Sequence, residues 1–519
     1  LNCRLQFILG RAGTGKTHAC REAILAELRR DPRGHPLLLL VPEQFSFQME
    51  RELASVPDPQ GFLRLQVLGF RRLAARVLEE VGGAARPRLT EVGRLMAIRS
   101  LVHRNQDRLG VFARAARRRG FLEQLAATLA ELRAYAVDAE RLEAVARKLS
   151  GRGGPPGLGT KLTDLILLTR AYEEYVADKF LDPDELLSLA APRLPRSAGF
   201  QGVEVWVDGF AGFTPQEYLM LDGLFRVARR VHVSLCLDPD ELAAPLQDAD
   251  VFFPTRDTHQ RLTSRALAAG VAEDRPMLLT GGPRRFPADG ELAFLERHYA
   301  EKTTAGTFPY PSRAIRLVQA VDRQAEVETA ARELVRLARD QDHRWRDAAI
   351  LVRDVGAYRD YLTPLDDHGI PYFLDERRPA THHPLVELVR SAAEVVAGGW
   401  KLAPVLRYLK TDLLPLRREQ VDRLENRLRG LMTGGGGWPG IDSLPEDIRR
   451  PAFAALESLV GRTGGQLLPA AEWADHFRTL LGELAVERQL ETWQTDALAE
   501  GWVEGVQEHA QVWTSVAGV

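Results

Sequence analysis

At 519 residues the chain is too long for one hydrophobic core, and three or four domains are expected. Its 45% hydrophobic and 27% charged content is that of a globular protein in water, and no apolar run approaches the ~18 residues of a membrane span, so no membrane partner is expected. A net charge of −2 neither proposes nor excludes nucleic acid, while Cys3, Cys20 and Cys236, far apart and without C-x-x-C spacing, argue for a cytoplasmic, reducing setting and against a cysteine-built metal site.

Leu5 to Leu9 is an apolar run that predicts a buried strand rather than a signal peptide. Gly10-Arg11-Ala12-Gly13-Thr14-Gly15-Lys16-Thr17 follows and matches the G-x-x-x-x-G-K-[ST] phosphate loop. Glycines let backbone N–H groups close around phosphate oxygens, and Lys16 can reach the β- and γ-phosphates. Thr17 offers a hydroxyl to Mg²⁺, and the N-terminus of the next helix adds partial positive charge. That helix is predicted from Cys20, Ile24 and Leu28, one turn apart on one face. A nucleoside triphosphate with Mg²⁺ is the expected ligand.

Leu37 to Val41 predicts a second strand, running into Pro42-Glu43-Gln44-Phe45-Ser46-Phe47. Leu63 to Leu68 predicts a third, followed by Gly69-Phe70-Arg71-Arg72-Leu73 and a helix. This order opens a parallel α/β nucleotide-binding core, in which loops at the carboxyl ends of the strands contact ligands.

From about Thr90 to Leu194 long helical patterns take over, such as Phe121-Leu125-Leu129-Leu132 and Leu162-Leu165-Leu168-Tyr172, with a Gly/Pro-rich turn at Gly151 to Gly159. An all-helical insertion is expected. Its cluster Arg114, Arg117, Arg118 and Arg119 fits either a solvated helix end or a phosphate-backbone contact. The sheet resumes at Val203 to Asp208, a strand ending in an acid as in a Walker B element, where Asp208 would hold Mg²⁺ through water across from Thr17. Gly209 stands where a motor ATPase carries the Glu that activates water, and Glu217 is too far along the chain to replace it. Val231 to Leu237 predicts a further strand ending in Asp238-Pro239-Asp240-Glu241, without a γ-phosphate-sensing Gln.

A second α/β unit is expected from strands at Ala314–Ala320 and Ala348–Val352, a short one at Gly369–Phe373, and a helix over Glu326–Arg339. Arg353, just after the second of these strands, could reach a γ-phosphate across an interdomain cleft or pair with Asp354 or Asp360. Beyond Lys401 the pattern is helical again, broken at Gly434 to Gly437.

Gly10 to Thr17, Val41-Pro42-Glu43-Gln44, Phe70-Arg71-Arg72-Leu73, Val207-Asp208-Gly209-Phe210 and Phe213-Thr214-Pro215-Gln216-Glu217 occur in an order that resembles the B subunit of AddAB/RexAB-type ATP-dependent helicase–nucleases. Ile350 to Asp354, Gly369 to Phe373, Leu409-Lys410-Thr411 and Leu424-Glu425-Asn426 extend the resemblance over essentially the whole chain. It implies P-loop NTPase domains with RecA-like parallel sheets, of superfamily 1 helicase type, carrying large helical insertions. Domain 1A would be residues 1–88 and 198–312, insertion 1B 89–197, an incomplete 2A 313–400, and a helical 2B-like region 401–519.

The resemblance further implies a heterodimer in which the A subunit of the helicase–nuclease is the motor partner. Together they would process double-stranded DNA ends for recombinational repair, while the B subunit scans one strand for Chi. Gln44, Ser46, Phe70, Arg72 and Phe210 would then contact single-stranded DNA, although Phe70 and Phe210 also fit core packing. The family's C-terminal nuclease motif and iron–sulfur cysteines are not found, so the sequence resembles the N-terminal part of a longer protein or a truncated gene product. An autonomous phosphate-loop ATPase or kinase that does not act on DNA is the alternative reading.

Overall fold

The structure is a computed structural model that describes residues 3–517 apart from 59–60, 84, 117, 119, 151–156, 178, 243–246, 300–305, 375–379, 434–439 and 465–467. Arg117 and Arg119, most of the Gly151–Gly159 turn and the Gly434–Gly437 break lie outside the described residues. Two compact units divide at residues 318 and 319.

The first unit opens with β1 (Arg4–Gly10), α1 (Lys16–Arg30), β2 (Leu37–Leu40), α2 (Glu43–Ala54), β3 (Leu65–Leu68) and α3 (Phe70–Val81). A helical stretch follows, α4 (Glu91–Arg104), α5 (Val111–Ala115), α6 (Phe121–Ala134), α7 (Ala139–Ser150), α8 (Leu158–Val176) and α9 (Leu186–Ala190). The sheet then resumes with β4 (Glu204–Val207), α10 (Pro215–Val227), β5 (Arg230–Cys236), α11 (Phe253–Ala268), β6 (Ala272–Glu273) and β7 (Met277–Leu278), before α12 (Glu291–His298).

All strand pairs are parallel, in the order β3-β2-β4-β5-β1-β6, and β7 also pairs with β1. Both faces of this sheet are covered, which is why its strands read as unbroken apolar runs. Alternation along β2 divides the covers. Leu37, Leu39 and Val41 join Cys20, Ile24, Leu25 and Leu28 of α1, while Leu38 and Leu40 join Leu73 and Val77 of α3 and Leu221 and Leu224 of α10.

The helical insertion carries its own core, in which Ile98 and Leu101 of α4, Leu125 and Leu129 of α6, and Leu168 and Tyr172 of α8 meet. A buried polar knot fastens it to the sheet. Arg133 pairs with Asp182 at 3.2 Å and lies over the Tyr172 ring, and the Tyr172 hydroxyl donates to Asp182 at 2.8 Å. Gln216 of α10 donates to the carbonyls of Arg133 (2.7 Å) and Asp184 (2.8 Å).

The second unit contains α13 (Arg323–Asp340), α14 (Thr363–Asp367), α15 (Pro384–Gly398), α16 (Leu402–Leu409), α17 (Arg418–Thr433), α18 (Glu446–Thr463), α19 (Ala470–Glu483), α20 (Val486–Ala499) and α21 (Val503–Ala517). A small cluster of Val327, Ala331, Leu365 and Ile370 packs α13 on α14. A larger one joins α15 to the helices after it. The expected helix over 326–339 is present, but the expected strands at 314–320, 348–352 and 369–373 are not formed. The physical reason is missing partners. Leu317 is 98% exposed, Leu351 90% and Phe373 89%, and a strand whose backbone groups and apolar side chains meet no neighbour has nothing to hold it extended. Among the described residues no helix is long and apolar enough to cross a membrane.

Candidate nucleotide site and strand-end cleft

The phosphate loop sits at the carboxyl end of β1, between the strand and the N-terminus of α1. Gly13 (φ +75°) and Gly15 (φ +96°) hold left-handed backbone that other residues resist. Gly10 is needed for space, since a Cβ there would lie 2.5 Å from Thr14 Oγ1 and 2.9 Å from Leu279 Cβ. Thr14 is buried and donates to the Arg11 carbonyl at 2.9 Å, tightening the turn. Lys16 Nζ donates to the carbonyls of Gly10 and Arg11, both at 2.8 Å. Arg11 braces the loop from outside, pairing with Asp238 and Glu296 at 2.8 Å each.

These residues fit a nucleotide phosphate. The first turn of α1 carries no acidic residue and no side-chain cap, so its N–H groups are available to an anion. By contrast, α10 closes its first turn with a Thr214–Glu217 capping box, which occupies the Glu217 carboxylate. Asp208 is buried just beyond β4 and accepts a short hydrogen bond from Ser234 of β5. Burial first, then the Asp208 charge, push the Cys20 thiol well above its ordinary pKa, while Lys16 opposes them. Thr17 is exposed at the loop. One hydroxyl and one carboxylate are what Mg²⁺ takes from a protein when phosphates and waters supply the rest. Among the described residues no group of three or more His, Cys, Asp or Glu side chains is placed to hold a metal, and the three cysteines are free.

The five expected DNA-contact residues divide by burial. Gln44 and Arg72 are exposed on the first turns of α2 and α3. Phe210 is half-buried and lines a cleft of about 280 Å³ at the strand ends, with Arg71, Asp184 and Gln216 among its walls. Ser46 and Phe70 are buried, although Phe70 also lines this cleft. Ser46 is 5% exposed, and its hydroxyl donates to the Glu43 carbonyl at 2.8 Å. Phe70 is 4% exposed and packs edge-on against Phe210 and Phe213, with ring centroids 5.5 and 5.9 Å away. Glu43 has a task that the sequence does not reveal. Its carboxylate accepts the Arg71 N–H at 2.9 Å and fills the space a side chain at Gly69 would need. Arg114 and Arg118 are exposed on the insertion. Arg353 is exposed in the second unit, in a segment without regular structure.

Arg284 and Arg285 were not singled out in the sequence. They follow β7 and bind back to the phosphate loop, their N–H groups donating to the Gly13 carbonyl at 2.8 and 3.2 Å. Both side chains are exposed, and the Arg284 stem passes 3.7 Å from where a Gly15 Cβ would be. The available signal was a basic pair directly after the turn Gly281-Gly282-Pro283.

Residues 7–296 match the family model described as ADDB, N-terminal. Proteins named as the B subunit of the ATP-dependent helicase/deoxyribonuclease are 44% identical to the chain in Desulforudis audaxviator, 42% in Pelotomaculum thermopropionicum and 43% in Moorella thermoacetica. The matches cover 99%, 98% and 98% of this chain but 46% of each relative, so the chain spans about half the length of these curated relatives. With a phosphate loop on a parallel sheet and a family match over more than half its length, the chain belongs to the AddB N-terminal family.

Proposed function

We propose that the chain is the ATP-binding, single-stranded-DNA-binding part of the B subunit of a heterodimeric ATP-dependent helicase/deoxyribonuclease that processes DNA double-strand breaks. The carrying observation is the pairing of a complete phosphate loop with a buried Asp208 two strands away on one parallel sheet. That order, with β5 between the loop strand and the Asp208 strand, supports a RecA-like domain 1A with the helices of 89–197 as insertion 1B. Residues 313–400 are then an incomplete 2A and the later helices a 2B-like region. ATP binds at Gly10 to Thr17, with Mg²⁺ held by Thr17 and, through water, by Asp208. Single-stranded DNA runs over the strand ends, where Gln44, Arg72 and Phe210 are accessible. In this reading the A subunit is the motor, the assembly works in the cytoplasm, and the B subunit scans for Chi.

ATP turnover by this chain, with and without single-stranded DNA, tests the reading beside equilibrium nucleotide binding and a Lys16→Ala control. Binding without motor-like turnover, lost in Lys16→Ala, is expected of a scanning protein with Gly209 at the water-activating position. No nucleotide binding by the wild-type chain would overturn it. DNA-stimulated turnover at motor-like rates would make the chain a motor itself.

A further inference from the structure

Between the phosphate loop and the end of the first unit lies a cavity of about 490 Å³, in the size range of small-ligand sites. Phe286, Phe308 and Tyr310 contribute rings to its walls, beside Pro287, Leu292 and Arg313. Phe308 lies 5.5 Å from Phe294 of α12 and 5.9 Å from Tyr310. The Glu291 carboxylate pins the far wall in place, accepting from the Ser312 hydroxyl (2.8 Å) and the N–H groups of Ala314 (2.8 Å) and Ile315 (3.1 Å). Phe286 is the wall shared with the phosphate loop. A Cβ at Gly13 would sit 3.0 Å from its Cε1, so ring and loop are in direct contact.

Sheet order gives this contact a direction. Asp208 stands on the β4 side of β1, beyond β5, whereas β7, whose following turn carries Phe286, pairs with β1 independently of β5. Magnesium bridges the β- and γ-phosphates, so the γ-end of a triphosphate on this loop points toward Asp208. Its nucleoside end then leaves toward the other side, past Arg284 to Phe286. We propose that the aromatic cavity headed by Phe286 receives the nucleobase of the bound nucleotide, with Phe286 stacking on it. The inference rests on the phosphate-loop reading and adds the half of the site that no phosphate-loop motif specifies.

Titration calorimetry of the full chain with Mg·ATP and with Mg·tripolyphosphate separates the two. Tripolyphosphate has the phosphates and no base. Phe286→Ala is expected to weaken ATP binding about tenfold and leave tripolyphosphate binding unchanged, which also shows that the variant has folded. Phe286→Trp is expected to keep ATP affinity near the wild-type value. Equal loss for both ligands, or no loss for either, in Phe286→Ala would overturn the base pocket while leaving the phosphate loop intact. Failure of the wild-type chain to bind either ligand would instead overturn the phosphate-loop reading itself.

Discussion

Gly209 has a φ of +85°, and a Cβ added to it would lie 3.3 Å from Pro42 Cδ. The backbone itself therefore opposes a Glu at the position where the proposed function puts water activation. A Glu at this position must adopt left-handed backbone, at a cost of about 1–2 kcal/mol. Gly209→Glu is expected to lower stability by that amount in urea titration and to leave ATP turnover unrestored. Burial similarly separates the strand-end residues. Phe70→Ala removes a core ring, so about 3 kcal/mol of stability should go with it. Arg72→Ala, at an exposed guanidinium, should leave the urea midpoint in place and weaken single-stranded DNA binding with a shallower salt dependence. Filter binding at two salt concentrations checks the second, and unchanged affinity would remove Arg72 from the DNA path.

At the scale of elements, β1 to β5 and α1 were legible because a doubly covered parallel sheet demands apolar runs, and the glycine-rich turn after β1 matches a phosphate loop residue by residue. The same logic misread 314–320 and 348–352. Ile315, Leu317 and Val318, or Ile350, Leu351 and Val352, carry strand-forming side chains, yet a run cannot reveal whether a neighbouring strand exists to pair with it. β6 and β7 escaped notice because each is two residues long. Ser46 and Phe70 have residue types suited to reading bases, but burial is set by the packing of α2 and α3 and not by type. One contact between elements that no periodicity suggests has a pH consequence. His383, at the N-terminus of α15, accepts the Leu385 N–H at 3.1 Å and meets His509 of α21 at 3.0 Å. Burial, with His509 adding to it, lowers the His383 pKa to about 4. The unfolded chain takes up a proton near its ordinary value of 6.5 while the folded one does not. Stability of the second unit should therefore fall as pH drops from 6.5 to about 4, by at most about 3 kcal/mol, and level off below. Urea titrations across that range, with His383→Gln flattening the dependence, test this.

For the molecule as a whole, two features stand out. Leu317, Val321, Leu351 and Phe373 are each nearly nine-tenths exposed or more. The chain should bind an environment-sensitive apolar dye, and a Leu317→Asp/Leu351→Asp pair should reduce that signal without changing ATP affinity; an unchanged signal would show that these segments are covered in solution. The second feature is the strand order. Among the described residues β1 pairs only with β5, β6 and β7, all of them encoded from Arg230 onward. On the ribosome, the Leu5–Leu9 run thus waits about 10–45 s, at ordinary elongation rates, before its first hydrogen-bonding partner is synthesised. The nascent phosphate-loop strand is an exposed sticky end throughout that interval, and slowing translation across the helical insertion would lengthen its dependence on chaperones.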